Sequence, residues 1–496
     1  MIQQIRATEG VAAGTTWSLV ARLLQMAVKL VAVVVLARVM GPGEYGIVAF
    51  VLSSTALLTV VADLGMAGGT ARLLAEDPSA ARCVLRRTAL ALGCTLGAGI
   101  VLLWLTREHV AALANAPILA NGTLVVAALL VAQIAQRYLS KVYEGLGAVA
   151  LYGRILALLG SLPWLLPVIA VWWWSTQVTA VLLAQVLGYV MLVAVAVGVL
   201  RQRVFARAWA STERCSEPRV ATIARYSLPM VATAASFFVF SQSDVLIIQA
   251  YLGSQDVGVY SVAVRMIETA HVPAGALGGA AAVYLARYYR TDPARARSLF
   301  TRLTSILLTA YVPAALLAIM VGRPAIELLF GVDYADAATI IAVYTPYLLA
   351  KAFSSVYALA LDYLGFAARR AVVVGAAAAM NVALNIFLVP RLGIVGAAIA
   401  TQITYVPVVI YYAASLRELF GVRWSSDDGR LLGKVLTSGV IMLASGYVIG
   451  VVLIHTVNVP LQVAHTTVGA GATVAYLAAL RALGINVRGL LGWTRA

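Results

Sequence analysis

Fourteen apolar runs, each of about twenty residues and separated by short polar breaks, pass through this 496-residue chain. They fall at about 12–37, 44–62, 88–106, 119–140, 155–173, 178–200, 227–250, 258–283, 303–321, 337–357, 371–389, 394–415, 434–454 and 461–480. A helix rises about 1.5 Å per residue, so each run spans the roughly 30 Å of a bilayer's hydrocarbon. Without water to satisfy backbone N–H and C=O groups, only helices or closed barrels can cross that layer, and these runs lack the alternation of a barrel. The runs therefore predict an all-α polytopic membrane protein with about fourteen transmembrane helices.

Charge settles the orientation expected for those helices. Only 11% of residues are charged, while 62% are hydrophobic; a soluble chain carries about a quarter charged. The formal charge of +16 is unevenly spread. With the N-terminus inside, 28 of the 36 Lys and Arg fall in cytoplasmic segments, and only Arg38, Arg107, Arg323 and Arg391 lie outside. Such a bias is the positive-inside rule, and it predicts both termini in the cytoplasm of a multi-pass protein of the cytoplasmic membrane. It also accounts for the basic charge through membrane lipids, without nucleic acid. Trp172, Trp173 and Trp174 end the fifth run, as an outer aromatic belt requires. The three cysteines, Cys83, Cys94 and Cys215, have neither disulfide nor metal-ligand spacing, and the N-terminus reads as the entry to a retained helix rather than a signal peptide.

The longest polar break, 201–225, divides the chain. The predicted organisation is a six-helix lobe at 1–200, a cytoplasmic linker at 201–225, a second six-helix lobe at 226–416, and a terminal helix pair with a cytoplasmic tail at 417–496. The lobes echo one another. Gly41-Pro-Gly-Glu-Tyr-Gly46 is matched by Gly253-Ser-Gln-Asp-Val-Gly258, 212 residues on, and Glu144-Gly-Leu-Gly147 by Asp362-Tyr-Leu-Gly365, 218 residues on. Two matches in order at nearly one offset indicate a duplicated unit, an arrangement typical of transporters that rock two bundles about a central site.

Charges inside the spans carry the functional information, because each costs several kcal/mol unless it meets water, a partner or a ligand. Arg22 and Lys29 are seven residues apart on nearly one helix face, with Gln25 and Met26 between them; snorkelling of Arg22 towards the interface is the bland alternative. Arg265 and Glu268 are spaced to pair within a helix, either as a self-neutralising ion pair or with Arg265 facing a cavity. His271 follows one turn later. Asp244, beside Gln242 and Ser243, is a polar interruption that could serve a coupling cation or pair with a first-span cation. Lys351 is read as snorkelling at the cytoplasmic end of its span, and Asp63 as interfacial. A cavity lined by Arg22, Lys29, Arg265 and Glu268 is net positive and suits phosphate or pyrophosphate. Asp244, Glu268 and His271 are the candidates for Na+ or H+ coupling. No phosphate-binding loop, HExxH or CxxC motif occurs, so neither a catalytic residue nor a metal site is assigned and the chain is not read as an enzyme.

Leu36-Ala-Arg-Val-Met-Gly-Pro-Gly-Glu-Tyr-Gly46 resembles the opening motif of polysaccharide (Wzx-type) flippases of the MOP exporter superfamily, which is related to the lipid II flippases and MATE exporters. Asp244-Val-Leu-Ile-Ile resembles the start of their second lobe, and Leu392-Gly-Ile-Val-Gly-Ala-Ala398 a later turn. The resemblance implies two six-helix lobes with alternating access. It also implies a flippase moving polyprenyl-pyrophosphate-linked oligosaccharide for surface polysaccharide biosynthesis, beside polymerase or glycosyltransferase machinery. Arg265-Met-Ile-Glu268 has the spacing of an Arg-x-x-Glu that lines the cavity in related lipid II flippases, and the terminal pair there forms a lipid-tail groove. A cation-coupled multidrug exporter is the first alternative, and a membrane glycosyltransferase or polymerase the second.

Overall fold

The computed structural model describes residues 11–77, 81–202, 220–422, 426–456 and 461–485. Most of the expected linker at 201–225 and the tail from residue 486, including Cys215, lie outside the described residues. The described residues form helices and turns, with no β-strand among them. The fourteen apolar runs fall on helices, four of them interrupted by a turn, at Gly122, Gly160–Ser161, His271 and Tyr344.

The first unit, Met1–Gly258, begins with α1, Val11–Asp63, which holds the first two runs and is broken at Gly41 (φ 76°, ψ 169°), just before Pro42. A non-glycine residue there would suffer the left-handed steric clash, and proline has no N–H to continue the ladder. There follow α2 (Met66–Glu76), α3 (Ala81–Leu113), α4 (Ile118–Asn121), α5 (Thr123–Gly145), α6 (Val149–Leu159), α7 (Leu162–Trp173), α8 (Val178–Leu200) and α9 (Val220–Tyr251). One core joins Leu74, Val142, Tyr143, Tyr152, Leu192 and Ala196. Within it the Tyr143 hydroxyl donates to the Ala196 carbonyl at 2.7 Å.

The second unit, Val259–Ala496, takes in most of α10 (Ser254–Ala270), then α11 (Val272–Thr291), α12 (Pro293–Leu329), α13 (Ala337–Val343), α14 (Thr345–Tyr363), α15 (Ala367–Leu392), α16 (Ile394–Leu419), α17 (Ser426–Thr456) and α18 (Leu461–Ala482). The terminal pair α17–α18 packs on α12 through Val312, Val435, Met442, Ala472, Tyr476 and Leu480. Tyr476 fixes the contact by donating to the Thr309 carbonyl at 2.9 Å.

Among the described residues nine helices are long and apolar enough to cross a membrane, and a pair bent by 60°, Val332–Val343 with Thr345–Tyr363, makes a tenth. The first of the nine carries two runs across the break at Gly41. The eighth run is split at His271, where Pro273 starts α11 without an N–H to give. Tyr311 bridges that break, accepting the Ala274 N–H at 3.0 Å and donating to the Ala270 carbonyl at 3.2 Å.

The sequence repeat is also a repeat of backbone geometry. Gly147 and Gly365 are both left-handed (φ 73° and 93°). The Ala148 N–H bonds to Tyr143 O and the Phe366 N–H to Leu361 O, each at 2.9 Å. The paired motifs at 41–46 and 253–258 touch one another: a methyl on Gly46 would overlap the Ser254 carbonyl, and one on Gly258 the Pro42 carbonyl. Residues 46 and 258 are related by the 212-residue offset, and so are 42 and 254. The contact is therefore reciprocal.

Candidate functional site

Each unit holds its own intramembrane polar groups. In the first, α1 packs against α6 and α7, and its polar stripe follows that contact. Gln25 donates from Nε2 to the Leu156 carbonyl at 3.3 Å, fitting over Gly160 where a side chain would collide with it. The Lys29 ammonium lies 4.9 Å from the centre of the Trp164 ring, and Arg154 faces Trp17 at 5.8 Å. Lys29 is half-buried and Arg22 exposed. The two cations therefore share a helix face but not an environment. Asp244 and Ser243 are buried on α9, which also packs against α1.

In the second unit the expected ion pair is present. Arg265 Nη1 lies 2.6 Å from Glu268 Oε2, with the two side chains 26% and 41% exposed. His271 Nδ1 is 2.7 Å from the Glu268 carbonyl oxygen, so the helix break holds the imidazole beside the pair. Lys351 joins this group, which corrects its sequence-based placement. It stands twelve residues before the end of α14, about 18 Å at helical rise, too far to be an end-of-helix snorkel. It is half-buried, and its ammonium lies 5.7 Å from the centre of the Tyr347 ring and 5.4 Å from that of Tyr405. The two rings pack at 5.0 Å, and the Tyr405 hydroxyl is tied to Ser354 Oγ at 2.8 Å. Glu268 and His271 are within electrostatic reach of the ammonium. Arg265, His271 and Lys351 thus gather around one carboxylate.

A polar network between α15 and α16 was not anticipated. Asn381 and Asn385, both fully buried, sit one turn apart. Asn381 Nδ2 reaches Thr401 Oγ1 at 3.3 Å and Thr404 Oγ1 at 3.4 Å, while Asn385 Nδ2 donates to Asn381 O at 2.9 Å. Two carboxamides one turn apart in an apolar run were the available signal. Asp63, expected at the interface, is also buried. Among the described residues no cluster of three or more His, Cys, Asp or Glu could hold a metal.

Long apolar helices, several of them broken, with charges lodged inside each bundle, make this a multi-pass membrane protein. Residues 11–283 match the family described as Polysaccharide biosynthesis protein, and the chain belongs to that family. Its fold is similar to that of the lipid II flippase MurJ in an inward closed conformation, with a TM-score of 0.75 at 14% identity over 94% of this chain and 99% of that one. It is also similar to an inward-facing multidrug resistance MATE family transporter of the MOP superfamily (TM-score 0.60, 14% identity, 82% of this chain and 100% of that one). A third likeness is to a MOP superfamily transporter from Pyrococcus furiosus, whose binding pocket is described as having reverse polarity (TM-score 0.55, 16% identity, 84% and 98%). A comparison with curated proteins by sequence gives no match. The solved structures it resembles are described as a lipid II flippase and as transporters, and the likeness to them shows a shared fold.

Proposed function

We propose that the protein moves an oligosaccharide, joined through pyrophosphate to a polyprenol, from the cytoplasmic to the outer leaflet of the cytoplasmic membrane by alternating access. The observation that carries this reading is the cationic group of the second unit. Arg265 and Lys351 both stand near one carboxylate, Glu268, so this group carries more positive than negative charge. Pyrophosphate offers the charge density that Lys and Arg bind in a low dielectric. Arg22 and Lys29 add cations in the first unit. The lipid tail stays in the bilayer, both termini face the cytoplasm, and glycosyltransferases or a polymerase of surface polysaccharide synthesis act before and after transport. Asp244, Glu268 and His271 serve coupling to Na+ or H+.

The test is export in cells that lack their own flippase. Lys351→Gln and Arg265→Ala are expected to lower export at least tenfold while reaching the membrane in normal amounts. Wild-type export by both would refute the reading. The fold of the MATE transporter favours a second reading, cation-coupled drug export. Under it the same cation variants transport normally, while neutralising Asp244 or Glu268 abolishes activity.

A further inference from the structure

The first unit contains a buried carboxylate that the cargo reading does not use. After the break at Gly41, α1 carries Thr55, Thr59 and Asp63 at one-turn intervals, and α5 carries Gln133, Arg137 and Lys141 at the same intervals. Thr59 Oγ1 lies 3.4 Å from Gln133 Oε1 and donates to the Thr55 carbonyl at 2.7 Å. At the foot of this polar track the Asp63 side chain is only 6% exposed. Its Oδ1 accepts the Ala67 N–H in the first turn of α2 at 2.9 Å. Its Oδ2 stands 3.7 Å from Arg137 Nε, longer than a closed charge-assisted hydrogen bond. The chain turns at once through two left-handed residues, Leu64 (φ 44°) and Gly65 (φ 73°). A non-glycine residue in that region is strained.

A cleft of about 430 Å³ opens onto this carboxylate, with Asp63, Arg72, Arg137, Lys141 and Glu144 in its lining. The rim charges have partners of their own: Lys141 bonds Glu144 at 2.6 Å and Arg72 bonds Glu76 at 2.7 Å, all well exposed. Arg137 and Lys141 are the cations whose charge acts on Asp63. From α3, Thr95 donates to the neighbouring Ala62 carbonyl at 3.2 Å. From α9, Phe238 lies 5.9 Å from the Arg137 guanidinium. The pair of Asp63 with Arg137 thus lies at the buried end of the cleft, with the Asp63 side chain 6% and the Arg137 side chain 34% exposed.

We propose that Asp63 is a proton-exchange site, and that its protonation frees α2 to move about the Leu64–Gly65 turn. As a carboxylate, Asp63 holds two elements together, through the N-terminal dipole and N–H of α2 and through the Arg137 charge on α5. Once neutral, it keeps at most the Ala67 hydrogen bond and loses both charge-dependent attractions. The cleft lies at the end of the second span, so exchange takes place on the side that the cation bias assigns to the cytoplasm. The proposal rests on that orientation and not on the identity of the cargo.

The test is hydrogen exchange by mass spectrometry on the full chain in lipid nanodiscs from pH 5 to pH 8, without cargo, corrected for intrinsic exchange. Protection of Met66–Glu76 is expected to fall at least tenfold as the wild type is acidified. Asp63→Asn, whose amide oxygen can still accept the Ala67 N–H, should show the low protection at every pH. Arg137→Gln should show weakened protection at neutral pH. A dye measurement of proton release should give about one proton per chain fewer for Asp63→Asn than for wild type. Protection of α2 that ignores pH in the wild type, or that is unchanged in Asp63→Asn, overturns the proposal. So does a response to Na+ in place of protons. None of these outcomes bears on the export assay of the Lys351 and Arg265 variants, so the two readings fail separately.

Discussion

The pair Arg265–Glu268 admits two roles, and removing its members singly and together separates them. At 2.6 Å the pair is a closed, charge-assisted contact. An unpaired charge near the centre of a spanning helix costs about 2.5–3.5 kcal/mol. Here Arg265 and Glu268 are 26% and 41% exposed, and solvent screening lowers that figure to about 1–2 kcal/mol. Glu268→Ala removes the closed carboxylate partner of Arg265 beside Lys351 and should lose about this much stability. Arg265→Ala leaves a lone carboxylate within reach of Lys351 and should lose less. The double variant removes both members but also takes the carboxylate away from Lys351, so it should recover only part of the loss; the coupling energy between the two positions is expected to be about 1–2 kcal/mol.

Thermal unfolding of the four proteins in nanodiscs measures the coupling, and export in cells measures function. If Arg265 binds cargo, Arg265→Ala and the double variant both fail to export, whatever stability the double variant recovers relative to Glu268→Ala. If the pair only neutralises itself, the double variant regains export along with stability. Recovered export would remove Arg265 from the cargo site, and a coupling below about 0.3 kcal/mol would refute the electrostatic argument altogether.

Gly258→Ala drives a methyl into the Pro42 carbonyl; overpacking of this kind costs about 1–3 kcal/mol. Lowered thermal stability is expected, with Gly43→Ala, where nothing lies within 4 Å, as the neutral control. Asn381→Leu removes the carboxamide that donates towards Thr401 and Thr404 and accepts from Asn385 Nδ2 at 3.1 Å. Stranding buried polar partners should cost about 1–3 kcal/mol, read as a lower unfolding midpoint in nanodiscs.

The spans were legible because the bilayer leaves a chain few choices. Gly41-Pro42 and His271-Val-Pro273 interrupt α1 and the eighth run where backbone chemistry requires it. Arg265 and Glu268 could be paired from spacing alone, since both lie on one helix. Lys351 was misplaced for the opposite reason. Tyr347 is one turn away, but Tyr405 belongs to α16, and no helical period reveals a ring brought in from 54 residues further on. The burial of Asp63 was hidden for the same reason: it ends an apolar run, and the turn into α2 that encloses it depends on contacts that no helical period shows. The Asn381–Thr401 network likewise depends on two helices and could be suspected only from its carboxamides.

The repeat shows where the two halves of the chain have diverged. The turn at Gly147 and its counterpart at Gly365 keep one backbone conformation and one set of hydrogen bonds, because a left-handed turn constrains the glycine and little else. The neighbouring acids have taken different partners: Glu144 bonds Lys141 within its own helix, whereas Asp362 receives two hydrogen bonds from Arg370 across the turn. At the offset of 212, Arg265 and Glu268 correspond to Ser53 and Ala56; at 218, Lys351 corresponds to Gln133. In the other direction, Asp63 and Arg137 correspond to Gly275 and Ser355. Neither charged group has a counterpart in the other repeat. A purely architectural pair would be expected wherever the duplicated backbone needs it. Charges confined to one copy answer instead to what that copy does, and this asymmetry is the reason for assigning the second unit's cations to an anionic cargo and the first unit's buried acid to a proton.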